Sequence, residues 1–314
     1  MTRLDVALFN YKDGGLRSLD NSGFTQAEGW EFDSLRLAFA EVQWAPALIL
    51  LNEANRYGYY GSVALMAAAD ALSEQLGRVY DARLGYCERG DYGPALFYDP
   101  NVIRLHSWGD THHTVHEHWR NVAVCSLRSR REVEFRVSLH HWSNHSSSLR
   151  LVEAKKFDHL ANSSVPCLLG GDLNTTASGA HLPQRDWTAL SARKRQRKGI
   201  QQNGHGTAWV ADTAPVDHLI GWWDEKASCR QDGVGFHALA EVAWQQGMPT
   251  DQALISSVND GIEVGEGLLI DWLIVNEAWK NALIPNTYQV HIPPAATSAD
   301  YPSDHRLITA SLEI

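Results

Sequence analysis

Long apolar segments are absent from this sequence. No hydrophobic run in its 314 residues approaches the roughly 20 residues that a membrane-spanning helix needs. The N-terminus does not show the basic start, long apolar stretch and small-residue cleavage site of a secretory signal peptide. These absences predict a cytoplasmic protein that makes no membrane contacts.

Closely spaced cysteines are absent as well. The four cysteines, Cys87, Cys125, Cys167 and Cys229, lie far apart, and no two of them form a C-x-x-C pair. This spacing argues against a zinc site or a disulfide framework. We therefore expect buried free thiols.

Positive charge is in deficit. The chain has 27 Lys and Arg against 37 Asp and Glu, which gives a net charge of −10. This balance argues against a protein that holds nucleic acid by its overall charge. It is compatible with a nuclease that has a local basic face, and carboxylates that bind a metal would account for part of the acidity.

The pattern of elements predicts one α/β domain. Strands and helices alternate loosely, and several strands are joined by short connections, which favours mixed sheets with helices outside. No flexible linker divides residues 1–314. The segment 199–265 is less regular, and we expect one helix in it, at Phe236–Gln246.

The segment VPCLLGGDLNT, residues 165–175, carries the clearest chemical signal. Val165–Leu169 is typical of a buried strand, and Gly170-Gly171 permits a sharp turn after it. Asp172 and Asn174 follow, two residues apart, so they can point to the same side and bind a hard cation or a phosphate-bound water. The alternative is an Asx-rich turn that caps the next element.

Polar residues at other strand ends favour the functional interpretation. Strand ends on one edge of a sheet sandwich converge on one cleft, where carboxylates and amides suit Mg²⁺, Mn²⁺ or Ca²⁺. A histidine paired with a carboxylate stays protonated and stabilises charge on phosphorus. In chain order the set is Asn10, Glu53, His141, Asp172, Asn174, Asp271, Asp304 and His305.

Several of these assignments have alternatives. Asp271 interrupts an apolar strand at Leu268–Val275, where an unpaired carboxylate is costly, so a partner or metal is expected. Neighbouring His140 and His141 face opposite ways in a strand, and the phase favours His141, with His140 as the alternative. Asp217-His218 is interpreted as a decoy.

A second histidine cluster has the sequence THHTVHEH. Its histidines are His112, His113, His116 and His118. Strand alternation places three of them on one face, and we expect a surface role.

The ordered motifs resemble those of a known family. They are Asn10, L-N-E at 51–53, L-H-H-W at 139–142, G-G-D-L-N at 170–174, I-D-W-L-I-V at 270–275 and S-D-H at 303–305. This order resembles the endonuclease/exonuclease/phosphatase superfamily, which is deoxyribonuclease I-like. The resemblance implies a four-layer sandwich of two mixed sheets flanked by helices, and metal-dependent hydrolysis of a phosphate ester by activated water.

The resemblance also implies roles for these residues. Asn10, Glu53 and Asp304 would hold Mg²⁺ or Mn²⁺, with Asp304 alternatively orienting His305. Asp172 and Asn174 would position and deprotonate the attacking water. His141 would contact the phosphate or protonate the leaving oxygen, Asp271 would orient a catalytic histidine, and His305 would bind the scissile phosphate. Many family members have Gln where this chain has the shorter Asn52.

The substrate is less constrained than the chemistry. The basic run Arg193–Lys198 and the 12 Trp favour a phosphodiester of DNA or RNA, with Arg193, Lys194 and Arg195 as substrate contacts. The alternatives for the run are a solvated helix face or a mobile loop. A small phosphorylated metabolite is the alternative substrate, favoured by the acidic charge. A binding protein that has lost its chemistry is the third hypothesis.

The discriminating feature between these substrates is the shape of the cleft. The basic run and the loop Tyr11–Trp30 either frame an open basic groove, which suits nucleic acid, or close a small pocket, which suits a metabolite.

Overall fold

Strand β1 (Arg3–Asn10) shows how the layers of the protein are built. The structure is a computed structural model that describes residues 2–17, 29–86, 92–109, 119–202, 208–294 and 298–314. Alternate residues of β1 enter two different cores: Leu4, Val6 and Leu8 pack in one, and Ala7 and Phe9 in the other. Because both faces are buried, β1 is apolar along most of its length.

Within the described ranges, two six-stranded sheets and two two-stranded ribbons form. The strands in chain order are β1, β2 (Leu48–Asn52), β3 (Asp81–Leu84), β4 (Ala95–Tyr98), β5 (Ile103–Trp108), β6 (Val122–Leu127), β7 (Arg130–His141), β8 (Cys167–Asp172), β9 (Gly199–Gln201), β10 (Trp209–Ala211), β11 (Trp222–Asp224), β12 (Cys229–Gln231), β13 (Phe236–Ala238), β14 (Asp271–Asn276), β15 (Gln289–His291) and β16 (Leu307–Glu313).

The two large sheets have the same internal plan. The first has the order β15-β16-β1-β2-β4-β3, and the second β13-β14-β8-β7-β6-β5. Each contains one parallel pair, β1 with β2 and β7 with β8, and its other pairs are antiparallel. Because each sheet combines parallel and antiparallel pairs, the mixed-sheet prediction is confirmed. The inner faces of the two sheets share one apolar core.

Helices cover the outer faces of both sheets. The α-helices of the described residues are α1 (Asp33–Ala38), α2 (Val63–Leu76), α3 (Ser147–Lys155), α4 (Asp158–Ala161), α5 (Ala192–Lys198), α6 (Ala214–Ile220), α7 (Leu239–Gln245) and α8 (Thr250–Ala253). Leu35 of α1 and Leu72 of α2 pack with the outer face of the first sheet, and Leu160 of α4 and Leu219 of α6 pack in the core that includes the second. The predicted four-layer order is therefore present.

Two local predictions are wrong. Phe236–Gln246 is not a continuous helix, because Phe236–Ala238 pairs with β14 as the edge strand β13 before α7 begins. Gly170-Gly171 is not a turn, because both residues lie inside β8. A Cβ on Gly171 would stand 1.7 Å from the carbonyl oxygen of His140, so glycine permits the close approach of β7 instead.

Two findings concern the expectations drawn from absences. No helix in the described ranges has the length and apolarity to cross a membrane. Cys125 and Cys167 are buried free thiols and Cys229 is a half-buried one, while Cys87 lies outside the described residues.

Candidate active site

Both parallel strand pairs end at one place. Asn10 is level with Asn52 at the ends of β1 and β2, and His141 is level with Asp172 at the ends of β7 and β8. Asp271, the first residue of β14, pairs directly with Asp172. The two sheets therefore deliver their polar ends to a common cleft, as the sequence predicts.

Asp172 is the centre of the cleft. Its Oδ2 accepts a hydrogen bond from Asn10 Nδ2 at 3.0 Å, and its Oδ1 accepts from the backbone N–H of Asn174 at 2.8 Å. His141 Nε2 lies 3.5 Å from Oδ2 and His305 Nε2 lies 3.8 Å from it. Burial raises the pKa of Asp172, but His305, His141 and Lys198 outweigh it and hold the pKa below its usual value. Asp172 is therefore a carboxylate.

His305 is paired with the buried carboxylate of Asp271. The distance between His305 Nδ1 and Asp271 Oδ2 is 2.7 Å. Burial lowers the pKa of His305, but Asp271 outweighs it and raises that pKa to about 10, so the ring is a cation at neutral pH. The buried acid that the sequence singled out thus has a histidine partner.

The two adjacent histidines of β7 have different surroundings. His141 lines the cleft, where its Nε2 lies between Asp172 and Glu53, 4.0 Å from Glu53 Oε1. His140 faces away, with its Nε2 2.9 Å from Ser138 Oγ and its ring 4.6 Å from that of Phe157. Burial lowers the pKa of His140 to about 3. Strand phase therefore assigned the correct histidine to the cleft.

The three predicted metal ligands lie at two depths, two in the lining of the cleft and one buried beneath it. Glu53, directly after β2 and with a φ of 60°, lines the cleft together with Asp304. Asn10 is fully buried below them and donates from Nδ2 to Glu53 Oε1 at 3.3 Å. The Oδ1 atom of Asn10 is buried without a hydrogen-bond partner among the described residues. An unsatisfied buried amide oxygen of this kind fits a bound cation.

A second group of ligand atoms lies next to these. Atoms of Asp172, Asp271 and His305 lie within 4.8 Å of one another, as in a metal site. Both ring nitrogens of His305 face carboxylates, because Nδ1 lies 2.7 Å from Asp271 Oδ2 and Nε2 lies 3.8 Å from Asp172 Oδ2. The geometry therefore favours a cation on the Glu53 side and an imidazolium on the Asp271 side.

The basic run forms α5, one wall of the cleft. Lys194, Arg197 and Lys198 line the cleft, and they recur at the three- and four-residue spacing of one helix face. Arg193 is exposed and does not line the cleft, and Arg195 lies over the ring of Trp209, 6.0 Å from its centroid. Of the three predicted substrate contacts, the structure places only Lys194 in the cleft.

Sequence reasoning missed several cleft residues. Lys198 Nζ donates to Asn174 Oδ1 at 2.6 Å, and helical phase applied to the basic run would have selected it with Arg197. Arg185 pairs with Glu263 in the same cleft. Arg185 and Glu263 lie far apart in the sequence, and no local sequence pattern marks either of them. An apolar wall completes the lining with Leu190, Val258, Ile262, Val264 and Ile270.

The remaining motifs lie elsewhere. Asp217 sits in α6 and accepts hydrogen bonds from Ser178, and His218 Nε2 lies 2.7 Å from Asp158 Oδ1, so this pair stabilises the second sheet's helical layer. Neither residue lines the cleft. The cluster His112, His113, His116 and His118, and residues 18–28 of the loop Tyr11–Trp30, lie outside the described residues.

Comparisons with known proteins give likenesses in structure alone. No protein-family model matches the sequence, and no curated protein matches it. Among solved structures, an endonuclease/exonuclease/phosphatase family protein from Bacteroides thetaiotaomicron is 15% identical with a TM-score of 0.51, covering 99% of this chain and 95% of that one. The AP endonuclease LMAP from Leishmania major is 14% identical with a TM-score of 0.55, covering 99% and 88%.

A third similar structure is the 3' phosphatase NExo from Neisseria bound to a product DNA hairpin. It is 12% identical with a TM-score of 0.53, and the match covers 99% of this chain and 100% of that chain. Two six-stranded mixed sheets, helices on both outer faces and these likenesses together give the conclusion that the chain has the deoxyribonuclease I-like fold of the endonuclease/exonuclease/phosphatase proteins.

Proposed function

We propose that this chain is a metal-dependent phosphoesterase, and that it hydrolyses phosphodiester bonds of DNA or RNA with an activated water. The observation that carries the proposal is the arrangement around Asp172. A buried carboxylate, an imidazolium and a second histidine meet beside two further carboxylates in one cleft. We include the whole chain in one catalytic domain, because residues of both sheets pack in one core.

The donor set fits a hard divalent cation. Glu53 and Asp304 offer carboxylate oxygens in the cleft, and Asn10 offers a buried amide oxygen that has no partner among the described residues. We assign Mg²⁺ or Mn²⁺ to these three residues. When bound, such an ion supplies Lewis-acid stabilisation of a phosphoryl oxygen and lowers the pKa of a bound water.

Asp172 and Asn174 act on the attacking water in this proposal. Asp172 is ionised and accepts hydrogen bonds from two neighbours, which fixes the direction of its free lone pairs. It accepts the proton of the water as phosphorus is attacked. Asn174 has a φ of 54°, and its Nδ2 donates to the carbonyl of Trp142 at 3.2 Å. The second hydrogen of this amide remains for the water or the phosphate.

The two histidines act on the phosphate. His305 is held cationic by Asp271 and stabilises negative charge on the non-bridging oxygens. His141 contacts the phosphate or protonates the leaving oxygen, because its Nε2 faces the cleft between two carboxylates.

Two observations bear on the substrate. The basic residues of α5 stand out in a chain of net charge −10, which supports a polyanionic substrate. The similar NExo structure is bound to a product DNA hairpin. The cleft holds about 270 Å³, which is near the small end of ligand sites and keeps a small phosphorylated metabolite as the second candidate. A binding protein without chemistry is disfavoured by the complete acid and histidine set.

The test is a side-by-side hydrolysis panel. Plasmid DNA, single-stranded RNA and small phosphomonoesters are incubated with the protein in Mg²⁺ or Mn²⁺, and in EDTA. We expect EDTA-sensitive cleavage of nucleic acid. Phosphate release from the small esters alone would replace the substrate, and absence of turnover on all of them would contradict the proposed function.

A further inference from the structure

The C-terminal end of α5 is held rigidly against the cleft. Ser191 caps the helix start through its hydroxyl, and the chain leaves α5 directly into the ribbon of β9 and β10. A Cβ on Gly199 would lie 2.6 Å from the ring of Trp187, so the backbone there is closely packed. The basic helix is therefore a built wall and not a mobile loop.

The side chain of Arg150 holds the C-terminal end of α5 in place. Its Nη1 donates to the carbonyl of Arg197 at 3.1 Å and to that of Ser143 at 3.0 Å. Its guanidinium also pairs with Asp212 at 2.7 Å, and both side chains are buried. The backbone next to Lys198 is thus tied to the segment that follows His141.

Lys198 projects from this fixed end into the cleft. Its Nζ donates to Asn174 Oδ1 at 2.6 Å, beside Asp172 and His141. An ammonium has three donors, and Asn174 uses one of them. In the part of the chain that the structure describes, no carboxylate forms an ion pair with this ammonium.

Two other cations of the cleft differ from Lys198 in this respect, while Lys194 and Arg197 line it without an ion pair among the described residues. His305 is paired with Asp271, and Arg185 with Glu263. A cation whose charge is already matched by a carboxylate has less attraction to spare for a phosphate. Burial lowers the pKa of Lys198, while Asp172 and Asp271 act in the opposite direction. Its direct partner is a neutral amide, and two of its three donors have no hydrogen-bond partner among the described residues.

We infer that Lys198 is a phosphate-contacting residue that binds a non-bridging oxygen of the substrate. The inference rests on the proposed function and deepens it. Asn174 sets the direction of the Lys198 side chain, while Arg150 and Gly199 set the position of its backbone. In this arrangement one amide serves two partners, the water through its nitrogen and the lysine through its oxygen.

Inorganic phosphate is the probe that tests this contact. Its dissociation constant is measured by calorimetry for the wild type, Lys198→Met, Lys198→Arg and the control Lys226→Met, which changes an exposed lysine outside the cleft. We expect Lys198→Met to weaken phosphate binding by about tenfold to a hundredfold, as for a lost charge-assisted hydrogen bond. Lys198→Arg retains most of the affinity and Lys226→Met all of it.

Steady-state kinetics separate this inference from the proposed function. Phosphate affinity of Lys198→Met within twofold of the wild type overturns the inference, whether or not the protein turns over substrate. If Lys198→Met loses phosphate binding and the wild type hydrolyses nothing, Lys198 is retained as an anion contact and the phosphoesterase is removed. A wild type that binds no phosphate overturns the inference, and the hydrolysis panel then decides the proposed function by itself.

A purely orienting role for Lys198 gives a different pattern. If Lys198 only held Asn174 in place, kcat would fall in Lys198→Met and Asn174→Ala alike, and phosphate affinity would not change. Circular dichroism and urea unfolding of each variant verify that the fold is intact.

Discussion

Asn52 accepts a hydrogen bond from the backbone N–H of Asp172 at 2.8 Å, and this contact joins the two sheets. The same amide donates from Nδ2 to the carbonyl of His140 at 3.0 Å. Asn52 lies in the first sheet, and both of its partners lie in the second. Asn52 therefore links the two sheets directly beside the cleft in which Glu53 and Asp172 lie.

Replacing Asn52 by alanine removes both contacts. Two buried backbone groups then lack a partner, which costs about 2 to 4 kcal/mol of unfolding free energy. Urea unfolding measures this loss, with Asn162→Ala as a control for an exposed asparagine. A change below about 0.5 kcal/mol would contradict the role of Asn52 as a link between the sheets.

The buried Arg150–Asp212 pair is a second structural prediction. Arg150→Met leaves Asp212 as an uncompensated buried charge, so we expect a loss of about 3 to 5 kcal/mol in unfolding free energy. Adding Asp212→Asn removes that charge and restores part of the stability. A double variant less stable than Arg150→Met alone would show that the pair is not the cause.

The partly enclosed imidazole of His140 is expected to make the protein less stable in acid. Burial lowers its pKa from 6.5 to about 3, so the unfolded chain binds a proton that the folded chain does not between these values. The contribution of neutral His140 to the unfolding free energy is fully present well above pH 6.5 and decreases as the pH falls toward 3. Between pH 7 and pH 5 this loss amounts to about 2 kcal/mol. Urea unfolding at several pH values measures how the unfolding free energy depends on pH. We expect this dependence to be shallower for His140→Gln than for the wild type. A slope equal to that of the wild type would assign the effect to another group.

The proposed position of the metal is tested at Glu53. Its carboxylate accepts hydrogen bonds from Asn10 Nδ2 and from the backbone N–H of Asp13, so Glu53→Gln keeps the shape and removes the charge. We expect Mn²⁺ affinity, measured by calorimetry, to fall by about tenfold or more. The control is the exposed Glu132→Gln. Unchanged Mn²⁺ affinity in Glu53→Gln would place the metal elsewhere.

Much of the fold and cleft follows from local patterns. Apolar strands that end in polar residues placed Asn10, Glu53 and Asp172 correctly at one edge, because strand ends of a sandwich converge. Strand alternation placed His141 in the cleft and turned His140 away from it, toward Ser138 and Phe157. The cost of an unpaired buried carboxylate predicted a partner for Asp271, which is His305.

Other features depend on contacts between distant residues. Phe236–Ala238 has a helical local pattern, but backbone pairing with β14 makes it a strand. Arg150 has an ordinary helical setting, and its full burial requires Asp212, which is 62 residues away. The cleft position of Lys198 required both the phase of α5 and the tie at Arg197.

The most direct test of the account is the turnover of Asp172→Asn on the substrate that the hydrolysis panel identifies. This change keeps the size of the side chain and removes its charge and its basicity. We expect the fold and Mn²⁺ binding to persist and kcat to fall by about three orders of magnitude. A folded Asp172→Asn variant whose kcat stays within about tenfold of the wild type would contradict the assignment of this cleft as the active site.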